Sequence, residues 1–274
     1  MTVATLTDVL TPAMTGGYAV AGVVVQGWED ARAYVNAAEA EGAPIILQAG
    51  PGARAHMPVQ VFGAMFRMLA EGASVPVVAH LDHGAGWAEC KAAIDCGFTS
   101  VMFDGSALSL DENIARTARI AEIAHAVGVS VEAELGFVGY AAGVPSRGTD
   151  PAEAALFATH SGADALAVAI GNLHLMQDGE ASIDWNLLAA IEAACPLPLV
   201  LHGGSGIAAA DRARLVNGHV SKVNIGTELR MAFGLSLRQT LTDPALFDRN
   251  MILSQTMPAL TAAAQHAIRS LRPS

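Results

Sequence analysis

The feature that most constrains this chain is a repeated alternation. Apolar stretches of strand length are each followed by an Ala- and Glu-rich stretch with helical spacing, and then by a glycine. The apolar runs lie at 18–25, 44–49, 75–81, 99–103, 129–135, 165–171, 197–201 and 220–225. Helical stretches lie at 29–41, 58–71, 87–96, 110–127, 151–161, 185–194, 208–217 and 228–242. Gly42, Gly72, Gly97, Gly128, Gly162 and Gly218 stand at helix exits. Glycine accepts the left-handed backbone that ends a helix, so each marks the turn into the next strand. Eight strand–helix units in a chain of 274 residues is the arithmetic of a (β/α)8 TIM barrel, an α/β fold. A doubly wound open sheet is the alternative. A further C-terminal helix is expected at 249–269. No linker, low-complexity tract or charge run interrupts the pattern, so residues 1–274 are expected to form one domain.

Composition supports buried strands. Hydrophobic residues make up 52% and charged residues 15%, which excludes disorder. Runs such as 75–79 and 197–201 have strand length, and none approaches the ~18 apolar residues of a membrane span. A net charge of −11 argues against nucleic acid and anionic membranes as partners. The first ten residues lack a basic region followed by an apolar core, so no signal peptide is expected. Cys90, Cys96 and Cys195 are odd in number and lack metal-site spacing. They read as reduced thiols, and the expected location is the cytoplasm.

In a barrel the chemistry sits where strands end. The second run ends in Gln48-Ala49-Gly50, and the third in His80-Leu81-Asp82-His83-Gly84. The fourth run leads to Asp104 and the fifth contains Glu132 and Glu134. The sixth leads to Asn172 and His174, and the seventh to His202 and the run 203–206. One strand-end histidine is more often a hydrogen-bonded core residue than a ligand. Three of them (His83, His174, His202) with two carboxylates at one rim favour a metal, because buried imidazoles and charges need partners. Neutral imidazoles suit Zn2+, and three protein ligands with one open position is a catalytic arrangement. Asp104 and Glu134, as hard oxygen donors, suit a second or alternative metal position. Asp82, beside His83, is placed to relay a proton, or else to orient a histidine. His80 and Glu132 share faces with Asp82 and Glu134 one layer deeper and read as supports. His56, His125, His160, His219 and His266 fall in helices or loops.

Two glycine-bearing runs, 203–206 and 224–227, each precede a helix. Consecutive backbone N–H groups there can cradle an anion, and loops after the seventh and eighth strands recurrently hold phosphate in barrels. Either run alone is equally a simple turn.

The stretches AHLDHG (79–84), VMFDGS (101–106), VEAELG (131–136), LAVAIGNLH (166–174), LVLHGGSG (199–206) and KVNIGTEL (222–229) together resemble the class II, metal-dependent ketose-bisphosphate aldolases. The resemblance runs from about residue 6 to 240. It implies that His83, His174 and His202 bind the catalytic zinc and that Asp104 and Glu134 belong to a second metal position. A second divalent ion and a monovalent cation are compatible with it. It implies Asp82 as the acid/base. Gln48, Gly203, Gly204, Ser205, Asn224, Ile225, Gly226 and Thr227 would hold the dihydroxyacetone phosphate portion of a sugar phosphate, with Asn224 also contacting the enediolate. The implied reaction is reversible aldol cleavage of a ketose 1-phosphate or bisphosphate through a Zn-stabilised enediolate. A homodimer or homotetramer is the expected assembly. The only lysine in a strand, Lys222, stands where the family puts no Schiff base.

The departures lie on the far side of the substrate. No Glu occurs between Gly136 and Asp150, where the family carries a mobile catalytic glutamate. The family's glycine after the second zinc histidine is Leu175, its Asn near the first strand end is Val24, and its Ser after the second strand is Gly50. The glycine-and-arginine segment that can read a distal phosphate is not seen before the chain ends 268–274. These changes point to a paralogue with a different aldehyde half, with Arg147 a candidate contact to an anionic group on it. A non-catalytic sugar-phosphate-binding or regulatory subunit and a metal-dependent sugar-phosphate isomerase or epimerase are the competing readings.

Overall fold

The eight apolar runs become eight parallel strands in the computed structural model, which describes residues 2–272. They are β1 (Val20–Val24), β2 (Ile45–Ala49), β3 (Val77–Gly84), β4 (Ser100–Phe103), β5 (Ser130–Leu135), β6 (Ala165–Val168), β7 (Leu199–Leu201) and β8 (Val220–Ile225). Each pairs in parallel with its neighbours, and β8 pairs back onto β1 through Lys222–Val20 and Asn224–Gly22. The sheet therefore closes on itself. Helices between the strands form the outer ring, as in a (β/α)8 TIM barrel. The outward faces of the strands, such as Val23, Leu47, Val101 and Leu166, pack under these helices in one continuous apolar layer.

The inward face changes character along the barrel. At the N-terminal end, Val20, Ile46, Val78, Met102, Ala165, Ala167 and Val200 form a separate apolar cluster. It is closed by a helix that the periodicity reading did not contain, Leu6–Gly16. Thr5 and Asp8 cap this helix reciprocally, and Gly17 ends it at φ +67°. Leu6, Val9, Leu10 and Ala13, at three- and four-residue spacing, face into the barrel floor. A two-residue strand before it, Val3–Ala4, pairs with Val77 and Val78.

Other boundaries shift modestly. β6 ends at Val168, three residues earlier than expected, and an unexpected short helix, Pro51–His56, follows β2. The C-terminal helix is two helices, Arg249–Ser254 and Met257–Ser270. The second buries Leu260, Ala264, Ala267 and Ile268 and packs against the helix Trp28–Ala40. Pro273 and Ser274, the end of the tail, lie outside the described residues. No helix among the described residues is long and apolar enough to cross a membrane.

Candidate active site

The strand ends converge at the C-terminal mouth of the barrel. The register between β3 and β4 slips between Leu81 and Gly84, and this irregularity presents Asp82 and His83. His83 has φ +49°, in the left-handed region that a residue with a side chain enters only where its surroundings enforce it. Its ring lies 4.6 Å from that of His202 and 5.6 Å from that of His174, centroid to centroid, and His174 and His202 are 5.5 Å apart. Ligand atoms of His83, His174 and His202 all fall within 4.8 Å of one another, as do those of His83, Asp104 and Glu134. The structure thus brings together the five residues that the sequence put forward as metal ligands.

His174 follows β6 on a two-residue strand, Leu173–His174, that pairs with Gly139–Tyr140 across the rim. The next residue, Leu175, has φ +57°. That left-handed conformation is one a glycine adopts freely and a leucine holds only at a steric cost.

The buried layer beneath the histidines sets their orientation. Glu132 accepts a hydrogen bond from Lys222 Nζ at 2.6 Å, and its other oxygen lies 3.3 Å from His202 Nε2. His202 therefore donates its Nε2–H downward, and its Nδ1 lone pair faces the cluster. His80 bonds Ser100 through Nδ1 at 2.8 Å, with Lys222 Nζ 3.3 Å from its Nε2. All of these side chains are fully buried. Glu132 thus supports His202, and His80 is an interior partner of Ser100 and Lys222.

Burial pushes the His202 pKa well below the usual histidine range and that of His174 down to about 4. Both are neutral and ligand-ready. Burial would also lower His83, but Asp82, Asp104 and Glu134 outweigh it and raise the group to about 9. Burial and the Asp104 charge push Glu134 up to about 8. For Asp104 burial favours protonation, but the 2.8 Å contact with His83 and two hydrogen bonds from Ser106 overcome it and lower its pKa.

These residues fit a divalent metal. His202 Nδ1 and Glu134 Oε2 are buried without a hydrogen-bond partner and lie 3.9 Å apart. Buried polar atoms are rarely left so, and a cation would satisfy both.

Asp82 is held on one oxygen only. Oδ1 accepts from Gln48 Nε2 at 3.2 Å and from Asn224 Nδ2 at 3.4 Å, while Oδ2 faces Gly50. Gln48 Oε1 and Asn224 Oδ1 are buried and unpartnered, above Gly22. A Cβ at Gly22 would come within 2.7 Å of Asn224 Oδ1 and 2.9 Å of Gln48 Oε1, so only glycine leaves room for both amides.

The 203–205 and 224–227 runs lie side by side. Gly203 is left-handed at φ +68°, a short 3-10 turn follows over Gly204–Gly206, and Ser205 Oγ accepts from Glu228 N at 3.2 Å. Gly226 caps the helix Thr227–Thr240.

Four residues escaped the sequence reading. Arg212, buried, donates Nε to the Gly204 and Ile207 carbonyls at 3.1 and 3.0 Å and pairs with Glu228, bracing both loops. Arg54 donates to the carbonyls of Ala49, Asp82 and His83, holding the β3 end. Tyr140 lays its ring 5.1 Å from that of His174. Arg230 lines the cleft. Only the motif register of 203–206 and 222–229 hinted at Arg212, by making a brace for two adjacent loops useful. Arg54 and Arg230 sit in helices and Tyr140 on a two-residue strand, all without periodic signal.

The cleft above the cluster has a volume of about 650 Å3 and runs from Asp82, His83 and His174 to Val24, Gln26 and Gly50. Arg147 does not line it. Its guanidinium donates to the Ser106 carbonyl at 2.8 Å.

Comparison with known proteins agrees with this geometry. Residues 4–274 match the family model described as fructose-bisphosphate aldolase class-II. A fructose-bisphosphate aldolase of Geobacillus stearothermophilus is 38% identical over 270 residues, covering 96% of this chain and 94% of that protein. A probable fructose-bisphosphate aldolase of Bacillus subtilis is 37% identical, covering 99% of this chain and 97% of its own. The crystal structure of the YdjI aldolase from Escherichia coli K12 superposes with a TM-score of 0.88 at 31% identity, covering 98% of this chain and 97% of that one. A barrel mouth with converging histidines and these relatives across nearly its whole length mark the chain as a member of the class II fructose-bisphosphate aldolase family, enzymes that cleave carbon–carbon bonds.

Proposed function

We propose that this aldolase cleaves a ketose 1-phosphate or ketose bisphosphate, reversibly, to dihydroxyacetone phosphate and an aldehyde, using Zn2+ held by His83, His174 and His202. The observation that carries the reading is the unpartnered Nδ1 of His202, oriented by Glu132 toward two further imidazoles. Asp104 and Glu134 offer a second position for a divalent ion. Membership of an aldolase family favours this reading over an isomerase or a non-catalytic subunit.

Bond cleavage next to a carbonyl leaves negative charge on the carbonyl oxygen. Zn2+ in this site supplies Lewis-acid stabilisation of that charge. The chain's own residues do the rest. Asp82 Oδ2, free of hydrogen bonds and facing the cleft wall at Gly50, takes the hydroxyl proton from the carbon that becomes the aldehyde. The carbon freed by cleavage takes up a proton from water while Asp82 gives its own up to solvent, and in condensation both transfers run in reverse. The amides of Gln48 and Asn224 hold Asp82 on its other oxygen and so fix the direction of Oδ2. Backbone N–H groups of 203–205 and 226–227, with the Thr227 hydroxyl, take the phosphate of the three-carbon half.

The reading also includes a cytoplasmic setting and a homodimer or homotetramer. The unpaired cysteines support the first. Exposed Met231 and Leu235 on the helix Thr227–Thr240, Leu241 and Phe247 in the segment that follows it, and Met251 on the next helix support the second.

The test is exchange of the C3 proton of dihydroxyacetone phosphate with deuterated solvent, followed by NMR, with zinc-loaded protein. Exchange and cleavage of ketose 1-phosphates are expected, and Asp82→Asn is expected to retain zinc and to cleave about 10²- to 10⁴-fold more slowly. Zinc-loaded protein that neither exchanges nor cleaves defeats the reading.

A further inference from the structure

We infer that Arg54 is a positioning residue for the mouth. Its guanidinium, by taking the Asp82 and His83 carbonyls together, holds the backbone turn through which two consecutive residues face one cleft. The inference goes beyond the aldolase reading above and rests on it only for the use to which the turn is put.

Successive side chains of a strand face opposite sides. On β3, Leu81 lies in the outer apolar layer and Asp82 reaches inward to Gln48 and Asn224. By that alternation His83 would return to the outer layer. Its Nδ1 instead lies 2.8 Å from Asp104 Oδ2, and its ring 4.6 Å from that of His202. The left-handed backbone at His83, φ +49°, and the register slip between Leu81 and Gly84 make this reversal. A residue with a side chain disfavours that backbone, so its surroundings must hold it.

Arg54, in the short helix Pro51–His56, supplies the hold. Its Nη1 donates to the Asp82 carbonyl at 2.7 Å and to the Ala49 carbonyl on β2, and its Nη2 donates to the His83 carbonyl at 3.1 Å. Carbonyls of consecutive residues point opposite ways in an extended strand and the same way where the chain turns. One planar fork therefore takes both only in the turned conformation. The fork is itself fixed: Glu89 Oε2 accepts from Nη2 at 3.0 Å and from the Ala85 N–H at 3.0 Å. The Arg54 side chain is 11% exposed. On the other side of His83, its N–H donates to Met102 Sδ at 3.4 Å, and a thioether is a weak acceptor. The arginine is thus the stronger of the two restraints. None of its hydrogen bonds goes to a side chain of the candidate metal cluster, so it acts on Asp82 and His83 through their backbone.

The experiment compares wild type with Arg54→Met, Arg54→Lys and Glu89→Gln. The crystal structure of metal-free R54M is expected to show His83 at negative φ, with its ring withdrawn from that of His202. A left-handed His83 in that variant overturns the inference. Zinc affinity is read by chelator competition on protein shown to be folded by near-ultraviolet circular dichroism. R54M is expected to bind zinc about 10- to 100-fold more weakly, the scale set by groups that orient metal ligands. Its cobalt-substituted form is expected to shift the visible absorption bands, which report ligand geometry and which lost stability alone would not move. Cleavage by the zinc-loaded variant falls by about 10²-fold in kcat, because Asp82 is misplaced together with His83. R54K falls between, since an ammonium reaches one carbonyl but does not span two as a fork, and it carries the same readings if R54M does not fold. E89Q keeps the carbonyl contacts and is expected to stay within about fivefold of wild type in zinc affinity, the scale of an exposed ion pair. Wild-type zinc affinity and cobalt spectrum in R54M, or a loss in E89Q as large as in R54M, overturns the inference. A wild type that binds zinc yet neither exchanges nor cleaves is a different failure, that of the aldolase reading, and the crystal structure and metal-binding readings still decide the role of Arg54.

Discussion

The floor and the mouth of the barrel are made from the same strands, and often from positions only two residues apart. On β2 the inward residues run from Ile46 to Gln48, on β3 from Val78 through His80 to Asp82, and on β7 from Val200 to His202. A step of two residues, about 6.6 Å along a strand, takes the interior from an apolar plug to a network of imidazoles, carboxylates and one lysine. The floor is closed by Leu6, Val9, Leu10 and Ala13, and the inward Ser130 hydroxyl there is satisfied by Thr7 of the same helix at 2.9 and 3.2 Å. The mouth leaves four buried polar atoms unpartnered. Stability and chemistry are thus stacked along one axis, and substitutions at the two levels should separate them.

The largest effect is expected at His202. On the proposed zinc site, His202→Ala would remove a ligand nitrogen but no packing of the floor. Zinc retention after gel filtration should be lost, and cleavage should fall by about 10³-fold, the several kcal/mol that a Lewis acid contributes. Metal-free stability should change little. Retained zinc with normal turnover would show that the mouth is not divided from the floor as described.

Glu132 tests the boundary between the levels, since it serves Lys222 below and His202 above. Glu132→Gln leaves the Lys222 ammonium buried beside an amide, and breaking such a pair costs about 3–5 kcal/mol. Urea unfolding should report that loss. The double variant Glu132→Gln/Lys222→Met removes the stranded charge and should recover most of the stability. It should still bind zinc about 10- to 100-fold more weakly, because His202 keeps no carboxylate to orient it. Full recovery of both would reduce Glu132 to a packing role.

On the floor the signs reverse. Leu10 is 1% exposed and packs into the apolar cluster under the strands. Leu10→Ala should lower unfolding free energy by about 2–5 kcal/mol through lost burial and the cavity left behind. Its kcat, measured well below the unfolding transition, should stay at the wild-type value. A fall in kcat would mean that floor packing sets the geometry of the mouth.

The split between levels also explains what the sequence disclosed. Strand ends were readable because apolar runs and glycine exits are local signals, and because ligand-type residues punctuate them: His83, Asp104, Glu134, His174 and His202 all belong to that pattern. Which of them meet depends on barrel closure, and the six motifs in register supplied that. The helix Leu6–Gly16 was missed because it precedes the first apolar run and carries a proline, Pro12, within it. Arg212 and Arg230 were missed for a different reason. Basic residues in helices are usually solvated, and nothing local distinguishes the buried brace or the cleft guanidinium from Arg214 or Arg238. Arg147 was singled out by its place in a shortened loop, but the loop folds back through the Phe137–Arg147 bridge and uses the side chain against Ser106.

The smallest expected effect concerns backbone strain, and it sharpens the comparison most directly. Leu175 beside His174 has φ +57° and is half exposed, whereas Ala13 on the floor is helical and fully buried. The same pair of residues should rank oppositely at the two places. At position 175, Leu175→Gly should be more stable than Leu175→Ala by about 1 kcal/mol, because glycine alone enters the left-handed region without steric cost. That corresponds to a melting difference of about 2–4 °C in a domain of this size. At position 13, Ala13→Gly should instead be less stable than the wild-type alanine by a comparable amount, as glycine is within a helix. The comparison at 175 is made between two variants that both lose the leucine side chain, so lost contacts cancel and strain is what remains. If alanine proves the more stable residue at 175, the positive φ is not a cost carried by the mouth, and the contrast drawn there rests on the unpartnered polar atoms alone.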